Sequence, residues 1–213
     1  MSDDESDEKQ LKIVVVGDGA SGKTSICQRF ARETFDRSYH QTLGLDFFSR
    51  RLVMPGDRQV LTQVWDIGGQ SIAGEMIDKY IAGADAVLLV YDVTNLKSFD
   101  NVQDWLSVVK RICKGQEKEK RVITVEVHNT FANDHNLKPY YVSAKSGDSV
   151  VMLFRQSVAE ILNIVLTKAD VEADIVIVKG TLSEPTKPII EPHPITAPKK
   201  TDQSKNTTVC SVS

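Results

Sequence analysis

The chain has 213 residues, of which 41% are hydrophobic and 26% charged, and its formal net charge is -3. This length suits one domain with tails, and the charge balance lacks the basic excess that nucleic-acid-binding proteins carry, so no nucleic-acid partner is expected. No apolar run approaches the roughly 20 residues that cross a bilayer, and the acidic N-terminal segment is unlike a signal peptide, which together predict a cytoplasmic protein.

Predicted strands and helices alternate along the chain. In order they are a strand over 11–16, a helix over 23–33, strands over 45–54 and 59–65, a strand over 86–91, a helix over 99–112 and a final helix over 150–165. Pro55-Gly56-Asp57 predicts a hairpin between the two middle strands. The fold class that follows is α/β, with a mostly parallel central sheet, one antiparallel edge hairpin and helices on both faces.

Three parts of the chain differ in composition. Residues 1–10 form an acidic head expected to be disordered, and residues 11–167 form the folded domain. Residues 168–213 are expected to form a flexible tail, in which several prolines rule out regular structure.

The three cysteines are too few and too scattered for a disulfide framework or a zinc site. Cys27 falls within one predicted helix and Cys113 at the end of another, and we expect both to be buried as small hydrophobic side chains.

A glycine-rich segment joins the first predicted strand to the first predicted helix. Its sequence, GDGASGKT, fits the phosphate-binding pattern G-x-x-x-x-G-K-[ST], known as the P-loop. Backbone N–H groups of such a loop form an anion-binding nest, Lys23 reaches the terminal phosphates, and Thr24 is the expected magnesium ligand. The predicted phosphate-binding residues are Gly17, Asp18, Gly19, Ala20, Ser21, Gly22, Lys23, Thr24 and Ser25.

Two further segments narrow the chemistry, because kinases, ATPases and GTPases all use P-loops. They are QTLGLDF at 41–47 and WDIGGQ at 65–70. Thr42 can complete magnesium coordination, and Asp66 can hold the metal's waters. The Gly69 N–H can meet a γ-phosphate, and Gln70 can orient the attacking water, which makes Gln70 the predicted catalytic residue.

Over residues 11–165 these motifs closely resemble the Ras superfamily of small GTPases. LGLDF and LLVYDVTN, at 88–95, are similar to the Rab family of vesicle-traffic regulators, and the chain is most similar to an atypical Rab branch ending in a single-cysteine box. Gly68 and Ser71 are similar to the Arf branch instead. Arf proteins, however, carry a myristoylated glycine at position 2, where this chain has Ser2.

The resemblance implies roles for residues around the base. Phe35 would pack on guanine, Tyr39 would cover the phosphates, and Gly19 would face the γ-phosphate. In the element Ser143-Ala144-Lys145, the Ala144 N–H would bind the guanine oxygen and Lys145 would pack on the base.

The implied function is a GTP/GDP-regulated switch that hydrolyses GTP with Mg²⁺ and recruits effectors in membrane or vesicle traffic. Since no arginine is obviously placed to act in cis, hydrolysis is expected to be slow without a GTPase-activating protein. Exchange factors are further implied partners, and the superfamily suggests a monomer.

The family's guanine-reading motif, Asn-Lys-x-Asp, is missing. After RVITV, at 121–125, the chain continues into EVHNTFANDHNL, where Asn129 and Asp134 have the wrong spacing. Roughly twenty residues are absent relative to the family, which should hold a strand end and the base-reading loop. The abrupt join at 125–126 favours a splice form or gene model lacking an exon over a true loss of readout.

Two alternative functions follow. One is a non-catalytic interaction module, or truncated isoform, with impaired nucleotide binding. The other is a P-loop phosphotransferase, which would need a substrate site and lid arginines that the sequence does not show.

The last four residues, Cys210-Ser211-Val212-Ser213, fit C-a-a-X and predict farnesylation of Cys210. One prenyl chain with few lysines gives marginal, reversible membrane attachment. We therefore expect a cytosolic pool held by a prenyl-binding carrier, and reversible attachment to the cytoplasmic face of plasma-membrane, vesicle or cilium-associated membranes.

Overall fold

Strands and helices alternate, as the sequence pattern predicts, in a computed structural model that describes residues 8–113, 126–174 and 207–212. The elements are β1 Lys9–Val16, α1 Lys23–Arg32, β2 Leu45–Met54, β3 Arg58–Ile67, a 3-10 helix Gly69–Ala73, α2 Ile77–Ile81, β4 Ala86–Asp92, α3 Leu96–Asp100, α4 Val102–Ile112, α5 Glu126–Asp134, β5 Lys138–Val142, α6 Val150–Ile161, α7 Lys168–Ala173 and β6 Thr207–Val212. None of the described helices is both long and apolar enough to cross a membrane.

One six-stranded sheet has the order β2-β3-β1-β4-β6-β5. β1 pairs in parallel with β3 and β4, and β2 pairs antiparallel with β3 through the predicted hairpin. Gly56 and Asp57 both have positive φ in its turn, a backbone conformation that glycine and aspartate tolerate better than most residues. β6 lies antiparallel between β4 and β5. The predicted α/β class, the mostly parallel strands and the edge hairpin are confirmed, whereas the reversed strand β6 was not predicted.

Helices cover both faces of the sheet because alternate strand residues point to opposite sides. Ile13 and Val15 of β1 pack in one apolar cluster with residues of α1 and α6. Val14 and Val16 pack in a second cluster with residues of α2 and α4. Cys27 is fully buried in the first cluster, as expected, while Cys113 is half-buried directly after α4.

The predicted tail, residues 168–213, contains two regular elements, so the expectation of irregular structure is wrong at these places. α7 begins with a capping box in which Thr167 and Asp170 exchange hydrogen bonds between side chain and backbone. β6 pairs with strands that lie far away in the sequence. The prolines on which the expectation rested all lie at 185–198, between the two elements.

β1 also begins inside the predicted head of residues 1–10. Lys9 and Gln10 pair with Val60 and Leu61 of β3. Pairing with a long neighbouring strand therefore extends β1 beyond its own apolar run.

Candidate functional site

A cleft of about 400 Å³ opens where the parallel strands β1, β3 and β5 end. This is the edge of an open α/β sheet at which ligands commonly bind. The cleft brings together most of the predicted site residues, namely Gly19, Ala20, Gly22, Lys23, Thr24, Ser25, Phe35, Tyr39, Thr42, Gly69, Gln70, Ala144 and Lys145.

The loop between β1 and α1 has a backbone that side chains rarely permit. Gly17 has φ +141°, and a Cβ there would stand 2.0 Å from the Val90 carbonyl oxygen. Ala20 and Gly22 also have positive φ, at 59° and 94°. Such alternation of backbone conformation forms a concave nest of N–H groups at the start of a helix. The local geometry therefore suits an anion.

Lys23 holds its ammonium group within this loop. The residue is only 4% exposed, and its Nζ donates a hydrogen bond to the Asp18 carbonyl oxygen at 2.7 Å. Burial lowers the pKa of Lys23, while the nearby Asp66 carboxylate acts to raise it. The loop thus encloses one positive charge at its centre.

Asp18 anchors the loop to helix α4 and does not line the cleft. Its two carboxylate oxygens accept hydrogen bonds from Asn101 Nδ2 at 2.6 Å and from Trp105 Nε1 at 3.2 Å. Gly17 and Ser21 also lie outside the cleft lining, and Ser21 is 2% exposed. These three residues therefore belong to the loop but not to the surface of the cleft.

Three oxygen-bearing side chains converge beside Lys23. Thr24 Oγ1 donates to Asp66 Oδ2 at 2.5 Å and lies 2.8 Å from Thr42 Oγ1, which is itself 3.4 Å from Asp66 Oδ2. Asp66 is fully buried, and its other oxygen, Oδ1, has no hydrogen-bond partner among the described residues. Burial raises the pKa of Asp66 to about 6, although the Thr24 hydrogen bond and the Lys23 charge oppose the rise.

This raised pKa predicts a pH-dependent stability of the metal-free protein. Between about pH 4 and 6 the folded chain keeps a proton on Asp66 that the unfolded chain releases, since the ordinary pKa is 3.8. Stability should therefore fall as the pH rises through that window, by up to about 3 kcal/mol. Urea unfolding in EDTA, compared between the parent and Asp66→Asn, measures this difference. Parallel stability profiles for the two proteins would contradict the raised pKa.

Two glycines join the segment after β3 to the other loops. A Cβ on Gly69 would lie 2.1 Å from the Gly19 nitrogen, and a Cβ on Gly68 would lie 2.4 Å from the Thr42 carbonyl oxygen. Only glycine allows such close backbone approach. Gln70 follows directly in the 3-10 helix, where it is exposed and lines the cleft. Tyr39 faces Gly19 across the cleft, with its hydroxyl oxygen 4.0 Å from the position of a Gly19 Cβ.

The far end of the cleft is formed by Phe35, Ala144 and Lys145. Ala144 is 4% exposed and Lys145 is exposed, whereas Ser143 does not line the cleft. Arg29 of α1 holds this turn, because its Nε and Nη2 donate to the Ala144 and Lys145 carbonyl oxygens at 2.7 and 2.8 Å.

Comparison with known proteins agrees with this geometry. The sequence pattern of the Ras family matches residues 12–163. The chain belongs to the Ras family. It is 58% identical to the Ras-related protein Rab-28 of Caenorhabditis elegans over 224 positions, covering 99% of this chain and 89% of the relative. It is 33% identical to Rab-13 of Mesocricetus auratus and 32% identical to Rab-13 of Bos taurus, each over 71% of this chain and 80% of the relative.

This Ras-family chain is therefore a Rab-type small GTPase, a switch of membrane traffic that hydrolyses GTP. The family implies guanine nucleotides as ligands, together with regulators and effectors as partners. A non-catalytic module, the first alternative considered from the sequence, is not favoured.

Several residues of this GTPase's cleft were missed by sequence reasoning. Gln28 lies one helical turn after Thr24, so helix periodicity could have indicated it. The others lie between the predicted residues Phe35 and Thr42 along one loop. They are Asp36, Arg37, Ser38, His40 and Gln41. Arg29 had no local sequence signature, because the carbonyl groups of the turn that it holds, at Ala144 and Lys145, are more than a hundred residues away.

Two sequence features of the GTPase lie apart from the cleft. Cys210 is in β6, opposite Leu89 and Pro139. The segment 121–125, which directly precedes the missing guanine-reading motif, falls outside the described residues.

Proposed function

We propose that this GTPase is a magnesium-dependent switch whose site is complete on the phosphate side and weakened on the base side. The observation that carries the proposal is the convergence of Lys23, Thr24, Thr42 and Gln70 on one cleft, with the buried Asp66 hydrogen-bonded to both threonines. These residues come from three separate segments of the chain, and the fold brings them together.

The oxygen cluster fits a magnesium ion. Mg²⁺ prefers oxygen ligands and usually keeps several waters. The Thr24 and Thr42 hydroxyls would coordinate it directly, and Asp66, with a buried oxygen that has no partner among the described residues, would hold one of its waters. When bound, the ion would neutralise charge that develops on the β- and γ-phosphates.

Residues of the chain would then bind and cover the phosphates. The P-loop N–H groups and Lys23 would bind the β- and γ-phosphates, and Ser25 would lie at the start of the same helix. Gly69 would contact the γ-phosphate through its N–H, and Tyr39 would cover it. Loss of that phosphate would free both loops, which is how such switches change their partners.

Replacing Gln70 with leucine should leave nucleotide binding unchanged and slow hydrolysis. Gln70 is exposed in the cleft, and its side chain has no hydrogen-bond partner among the described residues, so the change removes only the group that orients water. Single-turnover GTP hydrolysis by parent and variant measures the effect, which we expect to be at least about tenfold. Gln28→Leu, also in the cleft, is the matched control. Equal hydrolysis rates in parent and Gln70→Leu would remove Gln70 from the mechanism.

The base side should bind weakly. Phe35, Ala144 and Lys145 remain to contact guanine, but the sequence contains no Asn-Lys-x-Asp. An aspartate there would accept two charge-assisted hydrogen bonds, each worth about 1.5–3 kcal/mol, so its loss costs about a hundred- to ten-thousandfold in affinity. The similarity to the worm relative extends over 224 positions, more than the 213 residues here, which supports a deleted segment.

A titration with fluorescent GTP, GDP and ATP analogues tests the proposal. We expect magnesium-dependent binding of both guanine nucleotides with reduced discrimination against ATP. Binding of none of the three would favour the interaction module, and sub-nanomolar GDP binding with rejection of ATP would show that another group reads the base.

The proposed membrane cycle depends on Cys210. A single farnesyl group would attach the protein reversibly to the cytoplasmic face of membranes, and a prenyl-binding carrier would hold the cytosolic pool. GTPase-activating and exchange factors would set the switch, with the protein acting as a monomer.

A further inference from the structure

In the central sheet, β4 and β5 do not pair with each other, and β6 lies between them. We call the space between β4 and β5 the gap. β4 is buried at all seven residues, and β1 pairs with it along one edge only. Among the described strands, β6 alone pairs with the other edge of β4, and it alone pairs with β5. Without β6, the backbone groups along that buried edge of β4 would lack partners, which is costly away from water.

β6 occupies the gap along its whole length. All six of its residues are opposite β4, from Thr207 against Asp92 to Val212 against Val87, and five are opposite β5. Its sequence, TTVCSV, has four β-branched residues and neither proline nor glycine, which suits a central strand. β5 carries Pro139, and its place at the sheet edge tolerates a residue that cannot donate.

We propose that Thr207–Val212 is an intramolecular β-strand ligand of the gap between β4 and β5, and that its docking withdraws Cys210 from lipid modification. The first half stands on the sheet alone, whereas the second rests on the proposed farnesylation. The chain would thus exist in a docked, unmodified form and an undocked, modifiable form.

The two states exclude each other because of where Cys210 lies. It is in the interior of β6, opposite Leu89 on one side and Pro139 on the other. In farnesyl transfer the cysteine sulfur forms a thioether bond with C1 of farnesyl diphosphate, diphosphate leaves, and the thiol proton passes to solvent. A transferase must hold residues 210–213 in its own site, so β6 has to leave both neighbouring strands first.

Docking also bears on the nucleotide cleft. β5 leads directly into the turn at 143–145, and β6 joins β5 to the rest of the sheet. The turn is also linked to the sheet's helices by hydrogen bonds from Arg29 of α1 and by the packing of Ala144 against α1 and α6. A docked β6 therefore supports the base end of the cleft. Since coupling between two binding events is reciprocal, bound nucleotide should in turn favour the docked strand.

The tail can reach the gap within one molecule. Segment 175–206 connects α7 to β6 and could span on the order of 100 Å when extended. Closing a loop of this length costs little more entropy than closing a shorter one. Docking in cis is therefore favoured over exchange between two copies at low concentration.

Pulsed alkylation with iodoacetamide, read by peptide mass spectrometry on the full chain, tests docking. Cys27 serves as the fully buried reference and Cys113 as the half-buried one. We expect Cys210 to react at least about tenfold more slowly in the native chain than in urea, and Val209→Pro to abolish this protection, because proline removes a donor from a central strand. Lys205→Pro, outside β6, is the matched control and should keep the protection. Cys210 reacting equally fast in native and unfolded chain would overturn the proposal.

Hydrogen exchange of the parent gives a readout that does not depend on how the variants fold. The amides of 207–212 should exchange at least about tenfold more slowly than those of an isolated 203–213 peptide. Peptide-like exchange would show that the strand is not docked. Protection that appears only in a dimer fraction on gel filtration would overturn docking in cis.

Farnesyl transfer by purified protein farnesyltransferase tests the second half. Each full-chain rate is divided by the rate of a 203–213 peptide with the same sequence, which corrects for the effect of the substitution on the transferase itself. We expect the corrected rate of the parent chain to be at least about tenfold lower than that of Val209→Pro. Equal corrected rates, with Cys210 still protected from iodoacetamide, would overturn exclusion but not docking. Transfer to neither peptide would show that the farnesylation proposal fails while docking stands.

Discussion

Alanine in place of Lys23 should remove most nucleotide binding. Lys23 is 4% exposed, and its Nζ lies within the loop whose N–H groups form the anion nest. The change deletes the only described cation in the P-loop, and with it charge-assisted bonds to two phosphates worth about 1.5–3 kcal/mol each. We expect the affinity for fluorescent GDP to fall at least about a hundredfold, measured by titration with Mg²⁺.

The control separates binding from folding. Lys97→Ala removes an exposed lysine and should bind GDP like the parent. Burial lowers the pKa of Lys23, which means that the buried ammonium group carries a desolvation cost. Removing this group with Lys23→Ala should therefore leave the melting temperature of the nucleotide-free protein near that of the parent. Undiminished GDP binding by Lys23→Ala would show that the cleft is not the phosphate site.

Inserting a family-like segment that contains Asn-Lys-x-Asp between Val125 and Glu126 should raise GDP affinity about a hundred- to ten-thousandfold. The inserted aspartate would supply the two charge-assisted bonds to guanine, and discrimination against ATP should return with it. The segment also supplies a strand end for the sheet. That strand would compete with β6 for the gap between β4 and β5, so alkylation of Cys210 should accelerate in the same protein.

An insertion of equal length made of glycine and serine is the matched control. It lengthens the chain without adding a base-reading group or a strand, so GDP affinity should stay low and Cys210 protected. Melting temperatures with and without GDP add an independent measure, because a ligand stabilises the fold in proportion to its affinity. A restored segment that improved neither affinity nor selectivity would locate the base-reading group elsewhere.

The grouping of the candidate phosphate-side residues in one loop could be predicted because its information is local. Gly17, Gly22 and Lys23 lie in one short motif, and the backbone that they require forms from a single strand, turn and helix. The hairpin around Gly56 and Asp57 is similarly local. Helix α7 also had a local signature, the capping box at Thr167 and Asp170, but the prolines that follow it led to the expectation of an irregular tail.

The sequence by itself determined the P-loop, the alternation of strands and helices and the family, since each depends on neighbouring residues. Only the tertiary structure decided the raised pKa of Asp66, because that carboxyl is buried by segments from elsewhere in the chain. It also decided the anchoring of Asp18 by Asn101 and Trp105. The tertiary structure also decided which strand lies in the gap between β4 and β5. A strand can pair with any exposed sheet edge. β6 pairs with β4 and β5 because the backbone groups of these strands, which are distant in sequence, need partners.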